Sequence, residues 1–171
     1  MRTLILGGAA SGKSRLALEL ARKGPPPRVF VATAEPLDAE MAEKIARHRK
    51  ERGPDFETLE VPLALAETLE GFSEGTVVVD CLTVWLGNLF HYRRDPEAEI
   101  RRLLSAVEKF PGRLILVSNE VGLSPVAPDP ALRRFVNLLG RLNQELASRV
   151  EEVRLVVAGR SLSLKPGPDK Y

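Results

Sequence analysis

Short, nearly continuous apolar runs alternate along the chain with longer stretches in which apolar residues recur every third or fourth position. The runs are Thr3–Leu6, Val29–Ala32, Thr76–Val79, Arg113–Val117 and Val153–Val157, with a weaker one at Phe56–Leu59. Unbroken apolar runs of this length suit strands covered on both sheet faces, whereas half-exposed strands alternate. Helical periodicity fills the intervals at Lys13–Lys23, Asp38–Arg52, Leu63–Leu69, Asp95–Lys109 and Pro130–Ala147. Asp95 before Pro96 is a helix-start signature, an N-cap residue followed by proline at the first helical position. Gly24-Pro25-Pro26-Pro27 reads as a stiff connector. The order predicts an α/β, three-layer architecture around a mostly parallel sheet with crossover helices. Ligands of such sheets sit beyond the carboxyl ends of the strands.

The first strand-to-helix junction reads Gly7-Gly8-Ala9-Ala10-Ser11-Gly12-Lys13-Ser14. This is the phosphate-binding loop (P-loop) pattern, in the strand and helix context that it needs. Its glycines let the backbone turn tightly and aim N–H groups at phosphate oxygens, and the following helix adds the positive end of its dipole. Lys13 neutralises charge on the outer phosphates, and the Ser14 hydroxyl is offered to Mg²⁺. A turn that merely caps a helix would not require strand, spacing and helix to agree. The chain is therefore expected to bind a nucleoside triphosphate.

Composition narrows the picture. A chain of 171 residues with 44% hydrophobic residues suits a single nucleotide-binding catalytic domain spanning 1–171. No apolar run approaches membrane-spanning length and Met1-Arg2-Thr3 opens no cleavable signal, so no membrane insertion and a cytoplasmic location are expected. The lone Cys81 excludes a disulfide framework and a cysteine-rich zinc site. A net charge of +2, with both signs interleaved and no basic-aromatic surface, gives no sign of a nucleic-acid partner.

Three further clusters carry candidate chemistry. Asp80 ends the run Thr76–Val79, the usual position of the acid that supports Mg²⁺ in P-loop enzymes, although it also suits an N-cap for the segment opening at Cys81-Leu82. In the helix from Asp38, His48 lies beside the apolar positions Met41 and Ile45 and in a row with Lys44 and Arg52. Cations around an imidazole favour its neutral form and can hold a triphosphate against it, so such a histidine can attack phosphorus. A solvated basic helix face with a half-buried histidine accounts for the same spacing. The third cluster is Ser118-Asn119-Glu120-Val121-Gly122, at the carboxyl end of a strand, where either substrate-gripping groups or a simple strand-to-loop turn belongs. Cys81, Trp85 and His91 read as structural.

These residues resemble the adenosylcobinamide kinase/adenosylcobinamide-phosphate guanylyltransferase family of cobalamin biosynthesis. The resemblance runs from the first strand to Lys165. It rests on the P-loop, Ala32-Thr33-Ala34, Asp38-x-Glu40-Met41, Ile45-x-x-His48, Asp80-Cys81-Leu82-Thr83-x-Trp85-Leu86-x-Asn88-Leu89, Ser118-Asn119-Glu120-Val121-Gly122 and Gly140-Arg141-x-Asn143-Gln144. The P-loop is generic; the other blocks, in this order and spacing, are specific. Two departures stand out: the family often has arginine where this chain has Ala10, and a glycine-rich continuation where it has Leu123-Ser124-Pro125-Val126-Ala127-Pro128.

The resemblance implies a P-loop NTPase fold of the RecA-like kind and a bifunctional enzyme. A nucleoside triphosphate phosphorylates adenosylcobinamide, and GMP then passes from GTP to adenosylcobinamide phosphate through a guanylyl-histidine at His48. Nucleotide contacts are implied for Gly7 to Ser14, Thr33, Ala34, Glu35, Arg49, Lys50, Glu51, Arg52, Glu60 and Asp80. Lys13 joins His48 as catalytic, Ser14 and Asp80 hold Mg²⁺, GTP and ATP are substrates, and the assembly is a homotrimer. The helix Ala131–Leu146, apolar at Leu132, Phe135, Val136, Leu138, Leu139, Leu142 and Leu146, carries a wider stripe than one buried face needs. Two other readings stay open: a single-activity P-loop kinase with His48 a bystander, and a nucleotide-dependent binding module.

Overall fold

A computed structural model describes residues 1–123, 125 and 128–166, apart from the side chains of Lys44 and Glu51. Strands and helices alternate as β1 (Arg2–Gly7), α1 (Lys13–Arg22), β2 (Arg28–Ala32), α2 (Ala39–Arg52), β3 (Glu57–Glu60), α3 (Leu65–Glu70), β4 (Thr76–Asp80), α4 (Leu82–His91), α5 (Pro96–Lys109), β5 (Arg113–Asn119), α6 (Pro130–Arg149), β6 (Glu152–Val157) and β7 (Arg160–Lys165). The sheet order is β3-β2-β4-β5-β1-β6-β7. All pairings are parallel except β6 with β7. The expected three-layer, mostly parallel sheet is present.

Alternating side chains on the central strands feed two cores. Leu4, Leu6, Val77, Val79, Leu114 and Leu116 pack with α3 to α6. Ile5, Phe30, Val78, Ile115 and Val117 pack on the opposite face against Ala17, Leu18 and Ala21 of α1. Each large apolar side chain buried this way contributes about 1.5–3 kcal/mol, which explains why β1, β4 and β5 read as continuous apolar runs. No helix among the described residues is long and apolar enough to cross a membrane.

Several boundaries and two elements differ from expectation. The helix expected at Leu63–Leu69 begins at Leu65 and ends at Glu70, and the weak strand moves to Glu57–Glu60. Helix α4 was not foreseen, although its buried Leu82, Trp85, Leu86 and Leu89 fall at helical spacing, because apolar Val84 and Phe90 on its half-buried side blur that period. Asp80 does not cap it: Cys81 holds the N-cap position, without a side-chain cap bond. Strand β7 was also missed. It follows a two-residue turn, Ala158-Gly159, in which both residues have positive φ, the mirror-type turn that matches strand twist. In α6 the stripe is mostly used at home: Leu138, Leu139, Leu142 and Leu146 are buried, while Leu132 stays 49% exposed. The departure at Ser124, Val126 and Ala127 lies outside the described residues.

Glu151, in the turn between α6 and β6, ties down the start of β1. It forms an ion pair with the Arg2 guanidinium and accepts a 2.5 Å hydrogen bond from the Arg2 backbone N–H. These contacts hold the Glu151 carboxyl at about 2, below its ordinary 4.5. A depressed folded-state value means that the stabilisation is complete above the unfolded value and disappears as pH falls from about 4.5 towards about 2. Glu151→Gln should therefore lower stability by about 1 kcal/mol at pH 7, a modest figure because the pair is partly solvated. Urea denaturation should show that deficit shrinking steadily below pH 4.5; a deficit independent of pH would assign it to packing instead.

Candidate functional site

The P-loop is shaped by close approach. A Cβ on Gly7 would lie 2.4 Å from the Val156 carbonyl oxygen and 2.8 Å from Ser11 Oγ. Gly12 adopts φ +100° as the N-cap of α1, a conformation that L side chains rarely take. The β6–β7 turn buttresses the loop, since the Gly159 N–H donates to the Ser11 carbonyl at 2.9 Å. Lys13 is buried, and its Nζ donates to the Gly8 carbonyl at 2.5 Å, so the ammonium is held inside the loop. Ala10 takes φ +52°, a left-handed position at the exposed tip of the loop.

A cleft of about 670 Å³ opens beside this loop. Ser11, Gly12 and Ser14 line one side, and Asp80, His48 and Arg52 line the other. Leu18 and Phe30 add apolar wall, and Ala158-Gly159 closes the β6 end. Residues from β4, α1 and α2 thus converge on one space. Arg52 is 4% exposed, with its guanidinium 4.1 Å over the Phe30 ring and its Nε buried without a hydrogen-bond partner among the described residues. Burial, then the like charge of Arg49, pulls its pKa below the ordinary arginine value, while Asp80 and Glu60 oppose this. The Arg22 side chain donates to the Arg52 carbonyl at 3.2 Å, tying the last turn of α2 to α1.

Other expected contacts lie elsewhere. Thr33 is fully buried; its hydroxyl donates to the Cys81 carbonyl at 2.8 Å and accepts from the Cys81 N–H at 2.9 Å. That hydroxyl clasps the ends of β2 and β4, its proton engaged by the Cys81 carbonyl. Ala34 is half-buried, and Glu35 accepts from the Tyr92 hydroxyl at 2.8 Å. Glu60 accepts from Arg49 at 3.1 Å in an exposed pair beside the cleft, not on its lining. Lys50, Gly8 and Ala9 are exposed. Glu51 belongs to α2, and its side chain lies outside the described residues.

The residues read as structural behave so. Trp85 is buried and donates to the Leu63 carbonyl at 2.8 Å. Cys81 packs against the α1-side core, with its thiol pushed up to about 11 by burial and by Asp80. His91 is exposed and meets only the edge of Tyr92. Sequence reasoning missed Arg15, Glu19, Arg22 and the Ala158-Gly159 turn on the cleft wall. It also missed Asn88, whose amide donates to the Thr33 and Pro62 carbonyls and fixes the segment after β2. Among the described residues no three His, Cys, Asp or Glu side chains cluster as a metal cage. Mg²⁺ carried by phosphates needs only one or two protein ligands, so Ser14 and Asp80 facing one cleft fit it.

The sequence model of the family described as "Cobinamide kinase / cobinamide phosphate guanyltransferase" matches residues 3–164. The Pseudomonas aeruginosa "Bifunctional adenosylcobalamin biosynthesis protein CobP" is 47% identical over 174 residues, covering 98% of this chain and 99% of that protein. The Escherichia coli K12 "Bifunctional adenosylcobalamin biosynthesis protein CobU" is 36% identical over 183 residues, covering 96% and 100%. Among solved structures, a KaiC-like protein from Pyrococcus horikoshii OT3 superposes with a TM-score of 0.50 at 15% identity, covering 90% of this chain and 69% of the other. The RadB recombinase gives 0.50 at 19% identity, covering 90% and 73%. These two likenesses concern the fold alone, which is the RecA-like P-loop fold expected from the sequence.

The packing of Gly7 makes a test of the loop. In Gly7→Ala the new methyl group meets a backbone oxygen that cannot rotate away, so β1 or β6 must shift and the loop with it. Binding of a fluorescent GTP analogue should weaken roughly tenfold or more, about 1.4 kcal/mol, and the melting temperature should fall. Affinity within about threefold of wild type would show that the loop absorbs the clash.

Proposed function

The chain belongs to the cobinamide kinase / cobinamide phosphate guanyltransferase family, and from that premise we propose that its two reactions share one nucleotide cleft with His48 as the covalent carrier. Its activities are those of the family: phosphorylation of cobinamide, and guanylyl transfer to the phosphate so formed. The observation that carries the shared-cleft reading is the lining. Ser11, Gly12 and Ser14 face the same 670 Å³ as His48, Arg52 and Asp80. A triphosphate seated on the loop would thus have an imidazole within its own cleft.

In the kinase step, ATP or GTP sits on Gly7 to Ser14. The acceptor hydroxyl of adenosylcobinamide attacks the γ-phosphorus, the bond to the β–γ bridging oxygen breaks, the nucleoside diphosphate leaves with the electron pair, and the hydroxyl proton passes to solvent. Lys13 stabilises the charge that develops, by position and not by covalent chemistry. Mg²⁺, held by Ser14 and Asp80, would neutralise phosphate charge. In the transfer step a His48 nitrogen attacks the α-phosphorus of GTP and expels pyrophosphate. An oxygen of adenosylcobinamide phosphate then displaces the imidazole and yields adenosylcobinamide-GDP. Two displacements replace one direct transfer between bulky phosphate compounds. Arg52 and Arg49 supply the cationic surroundings for both.

The single catalytic domain acts, in this reading, as a homotrimer in the cytoplasm. Support comes from apolar side chains left outside the core: Leu132 at the start of α6, and Val157, Leu162 and Leu164 on the β6–β7 edge, 49–61% exposed. Light scattering at micromolar concentration should give three times the chain mass of 18.8 kDa; a monomer with and without GTP would remove the trimer.

His48→Ala should abolish guanylyl transfer and leave cobinamide phosphorylation measurable, because the P-loop is untouched. With α-labelled GTP, label should remain on wild-type protein in alkali, be lost in acid as a phosphorus–nitrogen bond requires, and be absent from the variant. Equal labelling of both proteins would move the nucleophile elsewhere. An unlabelled wild-type protein that still phosphorylates cobinamide would leave a kinase alone.

A further inference from the structure

Three sequence blocks that the nucleotide cleft does not absorb meet at one residue. Asn119 ends β5, the strand that lies between β1, which carries the P-loop, and β4, which carries Asp80. Its backbone N–H donates to Thr83 Oγ1 at 2.8 Å, in the first turn of α4. Its carbonyl accepts from Asn143 Nδ2 at 3.1 Å, on α6, where Asn143 is 6% exposed. The next residue, Glu120, donates its N–H to the Gly7 carbonyl at 3.0 Å. Helices α4 and α6 therefore hold the backbone of one half-buried asparagine and β1 holds that of the residue after it, while the Asn119 carboxamide makes no hydrogen bond among the described residues.

Strand alternation gives the direction of that carboxamide. Ile115 and Val117 pack on the α1 side, as do Ile5 on β1 and Val78 on β4. Asn119, Gly7 and Asp80 follow these by two residues and share that face. Asn119 is in register with Gly7, and Asp80 is in register with Val117. Neighbouring strands are about 4.8 Å apart, so Gly7 lies roughly one strand spacing from Asn119, while Asp80, on the other neighbouring strand and two residues back in register, lies diagonally at roughly 8 Å. Phosphates seated on the loop and reaching towards Asp80 cross the end of β5.

We propose that Asn119 is a further catalytic residue of the kinase reaction, its Nδ2 donating to an oxygen of the transferring γ-phosphoryl group, and that Asn143 and Thr83 are its positioning residues. The charge on that group is redistributed while the bond to the acceptor oxygen forms and the bond to the leaving nucleoside diphosphate breaks. A donor held rigidly between Lys13 and Asp80 stabilises that redistribution without reorganising. Guanylyl transfer breaks a bond at the α-phosphorus, so the γ-facing donor serves one activity and not the other. The inference rests on the two-activity reading and uses that difference.

The test measures both reactions on the same preparations, with γ-labelled GTP for cobinamide phosphorylation and α-labelled GTP for labelling of the protein. In Asn119→Ala the kinase kcat should fall about 10²-fold, as for loss of one preorganised donor, with the nucleotide KM and the protein-labelling rate each within about threefold of wild type. Asn119→Ser keeps a shorter donor and should recover part of the kinase rate. Asn143→Ala leaves the Asn119 carboxamide in place but frees its backbone; it should give a smaller, equally kinase-selective loss, and no further loss when combined with Asn119→Ala. Equal loss of both activities, or loss of neither, would overturn the proposal and reduce Asn119 to a structural residue. A wild-type protein that moves no γ-phosphate would instead overturn the two-activity reading on which it rests.

Discussion

The site depends on a strand that contributes little lining of its own. Because β5 lies between β1 and β4, the P-loop and Asp80 are two strand spacings apart, about 10 Å. That spacing across the sheet leaves room for a chain of phosphates. The Lys13 ammonium donates to the Gly8 carbonyl within its own loop, a neutral acceptor that a phosphate oxygen outcompetes by charge.

His48 reaches this cleft by a different route. Helix α2 has few apolar anchors: Met41 and Ile45 are only half-buried and belong to neither core. What ties it to the sheet is polar. Arg52 stacks on Phe30, Arg22 holds the Arg52 carbonyl, and Asp38 caps the first turn through the Met41 N–H at 2.7 Å. A partly desolvated cation–π contact is worth about 1–2 kcal/mol, comparable with one buried aliphatic side chain. The same arginine lines the cleft, so the charge that fastens α2 also faces that space, and His48 is carried one turn away on the same helix.

Much of this was legible in the chain because its causes are local. Continuous apolar runs gave the strands buried on both faces, Gly7 to Ser14 gave the loop, and Asp80 fell at a strand end as expected. What escaped reading has non-local causes. Helix α4 buries Leu82, Trp85, Leu86 and Leu89 on one face, but apolar Val84 and Phe90 lie on the half-buried side, so its polar face is too weak to mark the period. Strand β7 is exposed along almost its whole length and so has no apolar run, and its Ala158-Gly159 turn is a weaker signal than Asn-Gly or Asp-Gly. For Thr33 only the family resemblance implied a role, a nucleotide contact, and a resemblance says nothing of the partner Thr33 has within the fold. Its actual partner, Cys81, is 48 positions away, and nothing in the spacing of either segment shows that they touch.

Thr33 is one case of a more general constraint at this edge of the sheet. Where parallel strands stop, the ladder of backbone hydrogen bonds stops too, and the last N–H and C=O groups need partners before the edge can bound a site. Side chains supply them here: Asn88 for the Thr33 and Pro62 carbonyls, Thr33 for both Cys81 backbone groups, Thr83 for the Asn119 N–H and Asn143 for the Asn119 carbonyl. The small polar residues of the sequence blocks therefore divide into two sets. One set satisfies backbone and is consumed by it, which makes the rim rigid. The other set, Ser14, Asp80 and Asn119, stands at or just beyond the same ends of β1, β4 and β5 with side chains not used in holding that backbone. Rigidity in the first set is the physical condition for preorganisation in the second.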